Sequence, residues 1–385
     1  MSEKANRRME NQESEDPESE NGGIESQQSV PGIRYPASGI QHPASNIDHR
    51  SRVLLAHGSG GELSHELIRD VFVRAFANPF LSEMSDSAIL DELPEGRVAL
   101  TTDSYVVQPL FFPGGDIGEL AVCGTVNDLA VMGARPLYLT AGFILEEGLP
   151  IEDLERIVAS MAATAREAGV QIVTGDTKVV DRGAADGLFI NTAGVGVIPP
   201  GIDLGPHRLQ PDDVILVNGT VGDHGLAVMM QREGLAFGSN LRSDTAPLNR
   251  LIEALLVGLP TRVHWMRDAT RGGLATVLCE WAEAADVGIE LIEAQIPVRE
   301  QVRAACEFLG LDPLYAANEG KVVIAVDGAS VDKALAILRE HPLGKDAAAI
   351  GQVTAAHRGR VTLETPYGAR RVIQMLTGAQ LPRIC

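Results

Sequence analysis

The chain has 385 residues, with 52 acidic against 32 basic side chains and a formal charge of −20. Contact with a phosphate backbone needs clustered Lys and Arg, and no basic stripe with interleaved aromatics occurs, so no nucleic-acid partner is expected. No apolar run is long enough to span a bilayer, and the first residues lack both the apolar core of a secretory signal and the acid-poor composition of a transit peptide. A cytoplasmic protein with no membrane partner is expected, and its length points to two domains.

Residues 1–50 are rich in Glu, Ser, Asn, Gln and Pro, as in Glu13-Ser14-Glu15-Asp16, and offer no periodic apolar face. They read as a disordered extension. A first domain is expected over 51–205. In it, 53–55 reads as a short strand, 57–61 as a glycine loop, and 62–76 as an amphipathic helix with Leu63, Leu67, Val71 and Phe72 on one face. A strand at 98–102, helices at 118–132 and 151–168, and strands at 171–173 and 188–198 follow. The Pro- and Gly-rich stretch from 199 to 211 marks the boundary. A second domain, 206–355, repeats the alternation, with strands at 214–217, 263–266, 321–326 and 348–353 and helices at 225–233, 271–285 and 331–339. Residues 356–385 read as a C-terminal strand and a flexible tail. Alternating strands and helices indicate an α/β (α+β) fold, and no short repeat suggests a solenoid.

Asp86, Asp103, Asn127, Asp128, Asp176 and Asp268 fall at predicted strand ends or in tight turns. Ligands of open sheets collect at such ends, and gathered carboxylates suit Mg²⁺ with phosphate oxygens completing its shell. The plainer alternative for each Asp is a turn former or helix cap. Glycine loops at 57–61 (with Gly60 and Gly61), 112–116 and 271–273 would let backbone approach a phosphate. There is no GxxxxGK[ST] and no GxGxxG after a strand, so these features suggest a phosphate and metal site without identifying a nucleotide. Lys178 would share the crevice of Asp176 if the intervening loop is tight, and Glu319 precedes a strand; either also reads as a solvated surface charge.

Four cysteines, at 123, 279, 306 and 385, show no paired spacing. Cys279 and Cys306 read as core thiols. Cys385 ends the sequence on a segment that spans roughly 30 Å when extended from Leu376. Gly378 loosens that segment and Pro382 prevents helix closure. A thiol so placed can visit an internal site and then reach a partner.

Five blocks carry a resemblance: 111–118 (Phe-Phe-Pro-Gly-Gly-Asp-Ile-Gly), 124–130 (Gly-Thr-Val-Asn-Asp-Leu-Ala), 174–179 (Thr-Gly-Asp-Thr-Lys-Val), 267–274, and the closing Leu381-Pro382-Arg383-Ile384-Cys385. From about Val53 to Cys385 the chain resembles the HypE family of hydrogenase maturation proteins, in the aminoimidazole ribonucleotide synthetase-like (PurM-like) superfamily. Ala269 stands where that pattern has proline, and Gly368-Ala369-Arg370 lacks a second glycine. The resemblance implies a two-domain PurM-like architecture, with ATP held mainly by the first domain. It also implies a homodimer whose N-terminal domains share a β-barrel. It implies a carbamoyltransferase of the HypF type that loads Cys385, ATP-dependent dehydration of the carbamoyl group to a thiocyanate, and delivery of cyanide to a HypC–HypD-type scaffold for a [NiFe] hydrogenase. ATP and Mg²⁺ would be bound by Asp86, Asp103, Asn127, Asp128, Asp176, Asp268, Gly60 and Gly61, with the five aspartates as metal ligands. Lys178 and Glu319 match positions suspected of removing the amide protons. Two alternatives remain: a selenophosphate-synthetase-type enzyme, disfavoured because no Cys precedes Cys123, and a non-catalytic binding partner, disfavoured by the intact acid set.

Overall fold

A computed structural model of the chain describes residues 51–90, 92–235, 240–376, 378 and 384, all within one compact unit, 47–385. The extension expected over 1–50 and Cys385 itself lie outside the described residues.

The first half opens with a 3₁₀ turn, Leu55–Gly58, in place of the expected strand at 53–55, and Arg52 makes only an isolated bridge to Pro150. Helix α1 (Glu62–Leu67) runs through a π turn (Ile68–Val73) into α2 (Arg74–Phe76), and Asn78 caps the short α3 (Pro79–Ser82). Then come β1 (Arg97–Tyr105), the hairpin β2 (Phe111–Phe112) and β3 (Gly115–Asp116), α4 (Ile117–Val131), β4 (Arg135–Glu146), α5 (Ile151–Ala168), β5 (Gln171–Val180) and β6 (Leu188–Ile198). Strand β4 was not anticipated from the sequence, yet its buried Leu139, Ala141, Phe143 and Leu145 alternate as a half-buried strand requires. The sheet order is β1-β6-β4-β5, and only β4 and β5 run parallel.

The second half contains β7 (Val214–Val217), α6 (Asp223–Arg232), α7 (Asn249–Gly258), β8 (Val263–Asp268), α8 (Gly273–Ala284), β9 (Gly288–Ile292), α9 (Glu300–Leu309), β10 (Val322–Val326), α10 (Val331–Glu340), β11 (Ala348–Thr354), β12 (Arg360–Glu364) and β13 (Arg370–Ile373). They form a seven-stranded sheet, β13-β12-β9-β11-β7-β10-β8, whose one parallel pair is β9 with β12. Both sheets are therefore mixed and mainly antiparallel, the α+β form of the expected class. Strand β10 is buried on both faces. Val323 and Ala325 join the core containing Leu274, Leu278 and Trp281 of α8, while Val322, Ile324 and Val326 join that of Leu251 and Leu255 of α7 and Leu338 of α10. Among the described residues no helix is long and apolar enough to cross a membrane.

Helix α4 joins the halves. Every residue in it is buried except Glu119 and Asp128, its only acids. A helix apolar all round has no solvent face to choose, so it must lie inside. Its N-terminal part packs into the first core with Leu154, Ile157 and Met161 of α5, and Ala130 and Val131 pack into the core between β10 and α7. Gly124 allows this depth, because a Cβ there would strike the Tyr105 hydroxyl of β1. The Asp116 side chain caps the helix, accepting from the backbone N–H of Gly118 (2.7 Å) and Glu119 (3.1 Å).

Asn127 closes the join with its full side chain. Nδ2 donates to the carbonyls of Ala246 (3.1 Å) and Glu319 (3.3 Å), and Oδ1 accepts from Leu248 N (2.7 Å). Asn127→Ala removes three hydrogen bonds and leaves buried backbone groups unpaired, so it should destabilise the fold by roughly 2–4 kcal/mol; thermal melts of the variant check this. Glu119 supplies a second test. Burial, with Asp116 and Glu167 nearby, pushes its carboxyl from the usual 4.5 to about 7. The folded chain then carries no penalty at acid pH and a growing one as pH rises from the ordinary carboxylate value through 7, because the unfolded chain releases that proton first. Glu119→Gln should melt higher than the wild type at pH 8, with the gap closing by pH 5.

Candidate functional site

Four carboxylates meet where α4 touches both sheets. Asp128 lies on α4, and Thr101 Oγ1 of β1 donates to its Oδ2 at 2.9 Å. Asp103 is two residues along the same face of β1, with the Arg271 guanidinium 3.6 Å away. Asp268 is the last residue of β8, and Glu319 lies just before β10, buried, with no hydrogen-bond partner for Oε1. Burial raises Asp128 to about 6, with Asp268 adding to it. Glu319 is raised well above the carboxylate range, by burial first and then by Asp268, Asp244, Asp103 and Asp128. Like charges held in a poorly solvated place disfavour one another's ionised form. Among the described residues no three His, Cys, Asp or Glu side chains already stand in ligating geometry.

The segment carrying Glu319 is fixed through its backbone. Asp244 accepts from Glu319 N (3.2 Å), Gly320 N (3.3 Å) and Lys321 Nζ (2.8 Å). A Cβ at Gly320 would strike the Asp244 carbonyl, so only glycine permits this approach. Burial opposes the charge of Asp244, but Lys321, His224 and these N–H groups hold its carboxyl below the ordinary range. Asn318 bonds Gly222 N, Ala269 O and Ala316 O.

A second feature lies on the other side of the first half. A groove of about 360 Å³ is walled by Phe72, Phe80, Phe143 and Ile172 and rimmed by His57, Gly60, Asp176 and Lys178. Lys178 Nζ donates to Asp176 Oδ1 at 2.9 Å. Both lie within β5, not in a loop after it. The twelve-residue β4 offers pairing to its end, so Asp176 sits opposite Gly142 and Lys178 opposite Ile144, and alternation puts both side chains on one face. Asp86 is exposed between Ser85 and Ser87, which line the same groove, and Gly61 is exposed beside Gly60 as the N-cap of α1.

The residues expected to form one nucleotide and metal site thus form two groups. Asp103 and Asp176 lie level in the first sheet, but β6 and β4 stand between β1 and β5. Three strand spacings make about 14 Å, too far for one ion to be ligated by both in a single chain. Strand-end placement holds only for Asp268; Asp103 lies inside β1, and Asn127 and Asp128 lie on α4. Asn127 is spent on backbone groups of the other half. The 112–116 glycine loop is a hairpin turn whose Pro113 carbonyl accepts from Ser243 N at 2.7 Å.

Ile384, near the end of the chain, lies in this region. It is buried in the first core with Phe112, Val228 and Ala317, and its carbonyl lies 2.6 Å from His224 Nε2. His224, Asp244 and Lys321 were not singled out from the sequence. For His224 and Lys321 the one signal available was a neighbouring glycine, as in Gly222-Asp223-His224-Gly225 and Gly320-Lys321; Asp244, between Ser243 and Thr245, carried none. The thiols of Cys279 and Cys306 are each pushed by burial to about 11, and that of the buried Cys123 well above its ordinary value, as expected of unreactive core thiols.

Residues 84–198 match the N-terminal and 210–364 the C-terminal domain of AIR synthase related proteins. Over 333 residues the chain is 54% identical to the carbamoyl dehydratase HypE of Azotobacter vinelandii, covering 86% of this chain and 97% of that protein. The structure of a hydrogenase maturation protein HypE in complex with ATP superposes with a TM-score of 0.82 at 53% identity, covering 86% of this chain and 99% of the other. A HypE chain solved in a HypE–HypF complex matches with a TM-score of 0.71 at 51% identity, covering 80% and 99%. With near-complete coverage of relatives more than half identical to it, the chain belongs to the HypE family of carbamoyl dehydratases.

Proposed function

We propose that the chain is an ATP-dependent carbamoyl dehydratase. It converts a carbamoyl group on Cys385 to a thiocyanate, the source of the cyanide ligand of iron in [NiFe] hydrogenase maturation. The observation that carries this reading is the burial of Ile384. The residue before Cys385 is buried in the first core, and its carbonyl meets His224, whose neighbour Gly225 donates to Ala317 O, two positions before the buried Glu319.

Oxide does not leave an amide carbon, so the oxygen must first become a phosphate ester. The carbamoyl oxygen attacks the γ-phosphorus of ATP and ADP departs, while the nitrogen gives up one proton. Loss of the second N–H proton expels phosphate and completes the C≡N bond. The balance is S–CO–NH₂ plus ATP to S–C≡N, ADP, phosphate and one proton. Glu319, whose carboxyl burial and the neighbouring acids make a stronger proton acceptor than an ordinary carboxylate, is the group proposed to take an amide proton. The groove fits a nucleoside in size and lining, with Gly60, Asp176 and Lys178 at its rim and Gly61 and Asp86 next in sequence to lining residues. The oxygen donors of Asp103, Asp128 and Asp268 fit Mg²⁺, which when bound would offset charge on the transferring phosphoryl group.

Residues 51–205 are taken as the ATP-binding domain, 206–355 as the second domain and 356–385 as the carrier segment, all acting in the cytoplasm. Strand β1 is a sheet edge that exposes Val98 and Leu100, and Ile144 of β4 is exposed as well. Pooling two such sheets into one barrel in a homodimer would cover both edge and apolar face. A HypF-type carbamoyltransferase would load the tail, and a HypC–HypD-type scaffold would take the cyanide.

Intact-mass analysis tests the chemistry. With carbamoyltransferase, carbamoyl phosphate and ATP, the wild type should gain a carbamoyl group and then lose one water. Cys385→Ala should gain nothing, while Lys178→Ala and Glu319→Gln should stall at the carbamoyl stage; an adduct on another cysteine, or loss of water without ATP, refutes the scheme. Calorimetry tests the nucleotide site. A folded Asp103→Ala/Asp176→Ala variant should lose most Mg²⁺-dependent ATP affinity, and unchanged affinity would remove both residues from the site.

A further inference from the structure

We propose that His224 is a positioning residue that latches the docked C-terminal tail, donating from Nε2 to the Ile384 carbonyl while Ser243 and Thr245 fix its tautomer. The proposal rests on the dehydratase reading above and assigns to this chain the device that presents Cys385 to the site.

The direction of every proton in the latch follows from chemistry. A carbonyl only accepts, so the 2.6 Å contact requires the hydrogen on His224 Nε2. In the neutral ring Nδ1 is then an acceptor, and Ser243 Oγ, 2.8 Å away, must donate to it. Ser243 Oγ in turn accepts from Thr245 N at 3.1 Å and from Thr245 Oγ1 at 2.7 Å. Burial favours that neutral form, pushing the ring below its ordinary value against the pull of Asp244. Phe112 meets the imidazole edge-on, with centroids 5.5 Å apart and planes at 88°, and its hairpin neighbour Pro113 holds Ser243 N. The ring is thus oriented from two sides.

The latch is also tied to the catalytic wall. Asp244, between Ser243 and Thr245, holds the backbone N–H groups of Glu319 and Gly320. Gly225 N, beside His224, donates to Ala317 O at 3.0 Å. One loop therefore sets both the imidazole that grips the tail and the segment that carries Glu319. Cys385 follows Ile384 by a single Cα spacing of about 3.8 Å, so gripping Ile384 confines the thiol. When the tail leaves, Nε2–H loses its acceptor in a buried place, so the network is complete only with the tail docked.

Two rates on the full-length chain test this: alkylation of Cys385 by iodoacetamide with no substrate present, and the carbamoyl-loading and dehydration steps resolved by mass. His224→Ala should speed Cys385 alkylation about fivefold or more, accept the carbamoyl group at no less than the wild-type rate, and dehydrate it about tenfold more slowly. His224→Gln keeps an N–H donor and should recover much of both changes. Ser243→Ala frees the tautomer and should fall between. Wild-type alkylation and dehydration in folded His224→Ala overturn the proposal, as does equal slowing of loading and dehydration in all three variants, which would mark a role in folding only. If His224→Ala does not fold, Ser243→Ala decides, and wild-type values for both rates there overturn the latch. If ATP never dehydrates the wild-type adduct, the dehydratase reading fails, while the alkylation ratios still decide whether His224 holds the tail.

Discussion

Burial of α4 on all sides is the constraint from which the rest of the site follows. A fifteen-residue helix with no solvent face needs walls all round, and neither half of the chain supplies enough of them alone. The first sheet with α5 covers one side, and the β10–α7 core covers the C-terminal end. The halves are thereby held in one register, and polar groups of α4 can lie between them. Asn127 and Asp128, near its C-terminal end, are the ones placed where the halves meet. One bonds the backbone of the second half and the other faces β1, so a structural brace and a candidate ligand sit side by side on one turn.

Such a location makes electrostatics expensive. Asp128 and Glu319 are both raised by burial first and by neighbouring carboxylates second, and Asp268 is raised by burial as well. A domain built only for stability would replace such groups with apolar ones, since uncompensated buried charge costs several kcal/mol. Asp244 shows the contrast within a few residues. Lys321 and two backbone N–H groups satisfy it, and its carboxyl is held below the ordinary range. Compensation was available in this region and was used for Asp244 but not for Glu319, whose Oε1 stays without a partner. That difference separates a residue whose charge is compensated and which holds the loop from one left uncompensated beside three other carboxylates.

Much of this was legible in the sequence, and the failures share a cause. The amphipathic helix α5 was bounded correctly at 151–168, because its buried Leu154, Ile157, Met161 and Ala165 recur at helical spacing. The end of β5 was misplaced because Thr-Gly-Asp-Thr-Lys looks like a turn when read alone; only a long neighbouring strand keeps such residues extended. That information is non-local, as is the unforeseen β4 itself. The acids were recognised as a set, but whether Asp103 and Asp176 share a site depends on strand order, which no local pattern encodes. The resemblance carries family and chemistry, whereas the division into an apolar groove and a buried acid cluster is set by strand order and packing. His224 was missed because a histidine among glycines carries no period, and its partner lies 160 residues away.

A carrier that loads on one protein and reacts inside another site must be held weakly enough to leave. Burying an isoleucine side chain contributes roughly 1.5–3 kcal/mol. One hydrogen bond such as that from His224 adds a net of about 0.5–1.5 kcal/mol. Opposing them, fixing each tail residue costs about 1–2 kcal/mol of backbone entropy. Against an ordering cost of that size per residue, such an anchor yields at most a few kcal/mol net. A lysine or arginine anchored by a buried ion pair would tip this balance toward permanent docking, and a glycine in place of Ile384 would tip it toward release. A medium-sized apolar side chain beside one neutral hydrogen bond makes an anchor of intermediate strength, and Ile384 with His224 has that composition.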